Sequence, residues 1–212
     1  ATSLATIMCT SVISARAHHH RGNVNWAIVV RMATGVVLGT LSGTVLAAHL
    51  STIWLQGIFA LFVLAVAGRL ILELEPNAAR GLPGNLGLSM MSGLIGLMSS
   101  LVGIGGATLS VPFLIHSNLD IRRAIGTAAA VGMPIAIAGT LGFSLQGHDI
   151  PDIPKYSIGY VYVPAVLGVS LASALTVNLG VKLAQKLPPR LLKRLFALFL
   201  CLTGLKMLSG LL

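Results

Sequence analysis

The 212-residue chain is poor in charge, in acid and in cysteine. Only 9% of its residues are charged, and 5 in all are Asp or Glu. Those five, Glu73, Glu75, Asp120, Asp149 and Asp152, all fall outside the long apolar runs. The runs therefore hold no carboxylate proton relay. Cys9 and Cys201 lie in separate apolar stretches with no CxxC or Cys/His spacing, which argues against a disulfide framework and against a zinc site. Aromatic residues make up 5%. Because the basic residues sit mostly in short loops, the formal charge of +9 does not mark a nucleic-acid-binding face. A starting Met and a basic n-region are missing too, so no signal peptide is read, and the chain is expected to begin inside a longer protein.

What is present is apolar surface. Hydrophobic residues make up 55% of the chain, its mean hydropathy is +0.91, and long apolar segments recur. That composition implies an all-α, polytopic transmembrane bundle, multi-pass in the plasma (inner) membrane. Spans are expected at residues 26–48, 53–72, 86–115, 124–145, 156–180 and 195–212, with residues 1–14 the remainder of another helix. Gly35, Gly39, Gly43 and Ala47 recur every fourth residue, a stripe suited to close helix contact. Residues 16–25 read as a basic loop, and its run His18-His19-His20 as solvated, since consecutive histidines do not share a helix face for a metal. Residues 181–194 form a second basic loop and residues 148–155 an acidic one. Residues 76–85 read as a cytoplasmic linker between an N-terminal repeat, 1–75, and a C-terminal one, 86–212.

The run at 86–115 is interrupted by Gly103, Gly105 and Gly106, which break a continuous helix. Backbone exposed at that depth cannot face lipid and must be buried in protein or line a cavity. By the positive-inside rule both basic loops are cytoplasmic, so residues 86–115 start and end on one side. Halves of about 15 residues are each about 22 Å long as helix, short of a core of about 30 Å. A re-entrant hairpin or two short helices is expected, turning near Gly103–Gly106.

Weak matches in shared order suggest duplication. Phe59-Ala60-Leu61-Phe62 recurs as Phe196-Ala197-Leu198-Phe199, Val37-Leu38-Gly39 as Val166-Leu167-Gly168, and Ala1-Thr2-Ser3 aligns with Gly126-Thr127-Ala128. Equivalent loops fall on opposite sides, which makes the repeat inverted, an arrangement common in secondary transporters.

Gly-Ile-Gly-Gly at 103–106, Val111-Pro112, and the run Arg122-Arg123-Ala124-Ile125-Gly126-Thr127 resemble the TauE/SafE family of sulfite and organosulfonate exporters. Thr2-Ser3 and the run from His19 to Trp26 look like the matching part of that family's first half. The resemblance implies a permease for small sulfur-containing anions, whose first glycine hairpin would precede Ala1. It departs where the family's glycine run continues and this chain has Ala107, and where Ala128 replaces a serine.

An anion at mid-membrane can be held by the N–H groups and dipole of a half-helix N-terminus. Candidate binding residues are Gly103, Gly105, Gly106, Thr108, Ser110, Thr127, Thr2 and Ser3, with Pro112 expected in the first turn of the helix that follows the break. The hydroxyls have an alternative role, bonding to their own helix carbonyls. Arg122 and Arg123 either attract anions at the cytoplasmic mouth or fix topology. Expected partners are a small anion and the bilayer; self-association is left open, and no cofactor or metal is implied. A membrane enzyme would need converging His, Asp, Glu or Cys, and the histidines are spread over both sides. A non-transporting scaffold or truncated permease is the other reading.

Overall fold

The structure, a computed structural model, describes residues 1–72, 81–146, 154–186 and 189–209. Glu73, Glu75 and Arg80 of the expected linker region, and His148, Asp149 and Asp152 of the acidic loop, lie outside them. The described chain is helical apart from one two-stranded hairpin. Its elements are α1 (Thr2–His20), α2 (Trp26–His49), α3 (Thr52–Ile71), α4 (Asn85–Val102), α5 (Ala107–His116), α6 (Ile121–Gln146), β1 (Ser157–Ile158), β2 (Val161–Tyr162), α7 (Val163–Lys186) and α8 (Pro189–Ser209). Trp26–His49, Asn85–Val102 and Arg122–Gln146 are long and apolar enough to cross a membrane; Thr52–Gly68, Val163–Thr176 and Ala197–Leu208 are shorter apolar helical runs.

Several element ends differ from the sequence expectation. The triple histidine is not in a loop: α1 runs through it, placing His18, His19 and His20 in its last turn, where basic side chains complement the helix dipole. The strand pair replaces the expected start of a span at residue 156. Ile158 pairs with Val161, and Gly159, at φ +56°, makes the tight reversal. The basic segment 181–194 is largely helical, with α7 reaching Lys186 and α8 starting at Pro189, whose fixed φ suits a first helical position. Lys206, deep in the expected last span, lies exposed in the last turn of α8. Long basic side chains reach out of the apolar region from such places.

The chain forms two compact units. One comprises Ala1–Ala48 and Pro76–Leu171, the other His49–Glu75 and Ala172–Leu212, so each takes segments from both sides of the linker expected at 76–85. In the second unit α3 packs on α8, with Gly204 against Leu64. Ala60 and Ala197, the alanines of the two repeated tetrapeptides, are both buried.

The first unit is built on glycine contacts. A Cβ on Gly35 would meet Ser92, one on Gly39 the backbone of Gly93, and one on Gly43 Ser100 and Leu97. The numbers rise together, so α2 and α4 run parallel with their backbones nearly touching, which small residues alone permit. Thr40 faces Gly139 and Thr44 faces Gly142, so α2 and α6 are parallel as well. Gln146 Nε2 donates to Thr44 Oγ1 at 3.1 Å at one end of that pair. At the other, the N–H of Asn25 donates to Thr127 Oγ1 at 3.0 Å, while Asn25 Oδ1 accepts from Ile28 N–H at 3.3 Å and caps α2. α1 runs the opposite way along α6: Leu4 lies at Gly139, Ser11 near Gly132, and Asn23 at Gly126.

Candidate functional site

α4 rises beside α2 from the Asn25 end and stops at Gly103. Gly103, at φ +74°, ends the helix with a left-handed cap whose N–H bonds the Ser99 carbonyl. Ile104 N–H bonds the same carbonyl at 3.0 Å. Gly106, at φ +70°, then starts α5, and its carbonyl accepts from Leu109 and Ser110 N–H at 3.1 and 2.8 Å. Both cap positions need a left-handed backbone, which glycine supplies without strain. α5 packs on α6 and ends at His116, with four residues between it and the start of α6 at the Asn25 end. The segment therefore enters and leaves on one side, a re-entrant hairpin. Its arms are unequal: the 18 residues of α4 extend about 27 Å and the 10 of α5 about 15 Å.

The turn lies halfway along α6. The Gly105 carbonyl oxygen is 2.9 Å from where a Cβ on Gly132 would be, and Gly106 abuts Ile135 Cδ1. On the other side, a Cβ on Gly105 would come within 2.6 Å of Ile7 Cγ2 in α1. Ile7 and Ile135 thus close the break from two helices. Pro134, beside Ile135, leaves α6 without one N–H to the carbonyl a turn earlier. Pro112 is not in the first turn of α5, as expected from the sequence, but in its interior, with the same effect on the Thr108 carbonyl.

Gly103, Gly105, Gly106, Thr108 and Ser110 are therefore together at or next to the turn. Thr127 is not with them. It is buried two turns toward the Asn25 end, its hydroxyl committed to the Asn25 N–H. Thr2 and Ser3 are at the opposite end of α1, where Thr2 Oγ1 accepts from Tyr162 N–H at 3.2 Å. Tyr160, in the same hairpin, meets Phe143 edge-on at 6.3 Å. The two threonines thus hold helix ends rather than converge on the break. Arg122 and Arg123 are exposed in the first turn of α6, capped by Asp120 Oδ2, which accepts from Arg122 N–H at 3.0 Å.

The alternative role of the hydroxyls holds for several of the helical Ser and Thr. Thr10, Ser11, Ser42, Ser92 and Ser100 each donate to a carbonyl three or four residues earlier. Thr40, Ser99 and Ser110 do not: their oxygens are buried with no partner. An unsatisfied buried polar group costs about 1–3 kcal/mol. Ser99 Oγ is 3.3 Å from where a Cβ on Gly106 would stand, and Thr40 Oγ1 is 2.8 Å from the same point on Gly96, one turn before Ser99. Sequence reasoning missed both residues; Ser99 is signalled only by its place just before the glycine run.

No group of His, Cys, Asp or Glu among the described residues could hold a metal ion. No solved structure matches the chain. A protein of Haemophilus influenzae described as "Probable membrane transporter protein" is 37% identical over 97% of this chain and 78% of its own length. A protein of Methanocaldococcus jannaschii with a similar description is 27% identical over 98% of this chain and 77% of its own length. The family model for the sulfite exporter TauE/SafE matches residues 1–207. The chain belongs to the TauE/SafE family of membrane transporters.

Proposed function

We propose that the chain carries small sulfur-containing or organic anions of the sulfite and sulfonate class out of the cell, and that the anion passes the α4–α5 break. One observation carries the reading. The N-terminus of α5 stands halfway along α6 in a segment, residues 81–119, that contains no Asp, Glu, Lys or Arg. There about half a positive charge of helix dipole opposes an anion without a buried cation. Gly103, Gly105, Gly106, Thr108 and Ser110 line this place; Thr127 and Thr2 hold the ends of the helices around it. The inverted repeat is part of the same reading, supported by the antiparallel run of α1 and α6, which it makes equivalents.

The test is sulfite efflux from cells expressing the full-length protein at verified membrane abundance. Faster efflux than from control cells is expected; equal efflux contradicts the reading. The sides follow from charge, with the basic Asn25 end cytoplasmic. Single cysteines at Asn118 and Gln185 should react with impermeant reagent only from the cytoplasmic face, and one at Tyr156 only from outside. Labelling of Asn118 and Tyr156 from one face contradicts the re-entrant topology. Arg122→Gln with Arg123→Gln should raise KM by less than about 10-fold with the maximal rate held, because mouth charges are screened over about 8 Å at physiological salt.

A further inference from the structure

We infer that Ser99 is a substrate ligand, and that the site it shares with the N-terminus of α5 selects singly charged oxyanions over doubly charged ones. This selectivity rests on the reading of the break as the anion path.

Two independent features meet at Gly106. One is the start of α5, a ten-residue helix. The other is the Ser99 hydroxyl, 1% exposed, unpartnered, and 3.3 Å from the point above Gly106 where a side chain would begin. The same residue's carbonyl already ties down Gly103 and Ile104, so its backbone is fixed while its hydroxyl is left over. Its neighbour Ser100 satisfies its hydroxyl on Leu97. Ser99 is positioned to donate to an anion oxygen that also faces the positive dipole end of α5. Ser110, one turn along α5, has a second unpartnered buried hydroxyl.

The charge selectivity follows from how the two opposing energies scale. Attraction to fixed dipoles and hydroxyls rises in proportion to the ion's charge, while the loss of hydration rises with its square. A site with a matching cation escapes this limit, but residues 81–119 have none, and the groups closing the break from α1 and α6 are Ile7 and Ile135. Those two apolar side chains also suit a carbon substituent. The favoured ligand is therefore a sulfonate, R–SO3−, or hydrogensulfite, rather than sulfate or fully ionised sulfite.

The experiment uses the full-length protein in proteoliposomes with tracer methanesulfonate and tracer sulfate at neutral pH. Methanesulfonate should enter at least ~10-fold faster than sulfate, and sulfite transport should fall as pH rises through its second ionisation. Ser99→Ala should raise the KM for methanesulfonate ~10-fold. It should leave Tm unchanged or higher, because no bond in the protein is lost, and Ser99→Thr should restore most of the affinity. Equal rates for the two anions overturn the charge selectivity. A wild-type KM in Ser99→Ala, or a lowered Tm with a proportional loss of active protein, overturns the role of Ser99. Failure of wild-type protein to move any of these anions overturns the permease reading itself, and with it the inference.

Discussion

Replacing Gly39 with alanine is expected to cut the folded protein in the membrane several-fold. The added Cβ would stand 2.6 Å from the carbonyl carbon of Gly93 and 2.8 Å from its Cα, against backbone that no rotamer change can move. The helices α2 and α4 would have to separate, and with them the contacts at Gly35, Gly43 and Gly96. Overpacking of this kind costs typically about 1–3 kcal/mol, a large fraction of a stability of about 5–15 kcal/mol. Gly168, which aligns with it in the sequence match Val-Leu-Gly, gives the control. It lies in α7 with nothing within 4 Å of a Cβ, so Gly168→Ala should hold or raise abundance, alanine being the better helix former by about 1 kcal/mol. Quantitative membrane immunoblotting with a thermal-shift assay in detergent separates the two. Equal abundance of both variants would mean that α2 and α4 do not pack backbone to backbone.

The second large effect is on transport. Gly106→Val is expected to reduce export ~100-fold while most of the protein still reaches the membrane. Valine at φ +70° is strained by about 1–2 kcal/mol, which a folded protein tolerates. Its branches would cover the start of α5, between Ile135 and the Ser99 hydroxyl. A double variant, Gly106→Val with Ile135→Ala, distinguishes the causes. Removing Ile135 relieves the clash but leaves the valine over the helix end. Export that stays lost in the double variant supports obstruction of the path. Recovery to near wild type would mean that Gly106 matters only for packing.

The break itself was legible because three glycines in an apolar run leave few alternatives, and because loop charges require the run to return to its starting side. The stripe on α2 was legible from spacing alone. Helix ends were not. α1 continues through His18-His19-His20, which sequence reads as a polar loop, because imidazoles at a helix C-terminus are favourable and Asn25, further on, caps the next helix. The short run from Ser157 to Tyr162 is apolar enough for a helix start, and periodicity cannot distinguish so short a piece from a strand. Thr2 and Thr127 are candidate ligands in the sequence because they align in the expected repeat. In the structure their hydroxyls accept from the N–H groups of Tyr162 and Asn25, 160 and 102 residues away, and no local pattern reports those bonds. Ser99 was missed for the converse reason. Its distinction from Ser100 is an absent hydrogen bond, which only packing reveals.

The central claim is that a sulfur oxyanion occupies the turn of the α4–α5 hairpin. Gly103 offers the most direct probe, since a Cβ there meets nothing within 4 Å, whereas Gly105 and Gly106 are closed by Ile7 and Ile135. The measurement is the rate at which the single-cysteine variant Gly103→Cys, on a background with Cys9 and Cys201 replaced, reacts with a sulfonate-bearing thiosulfonate reagent. The account predicts reaction from the cytoplasmic side that slows as methanesulfonate is added. Absence of reaction, or a rate that methanesulfonate does not change, would contradict it.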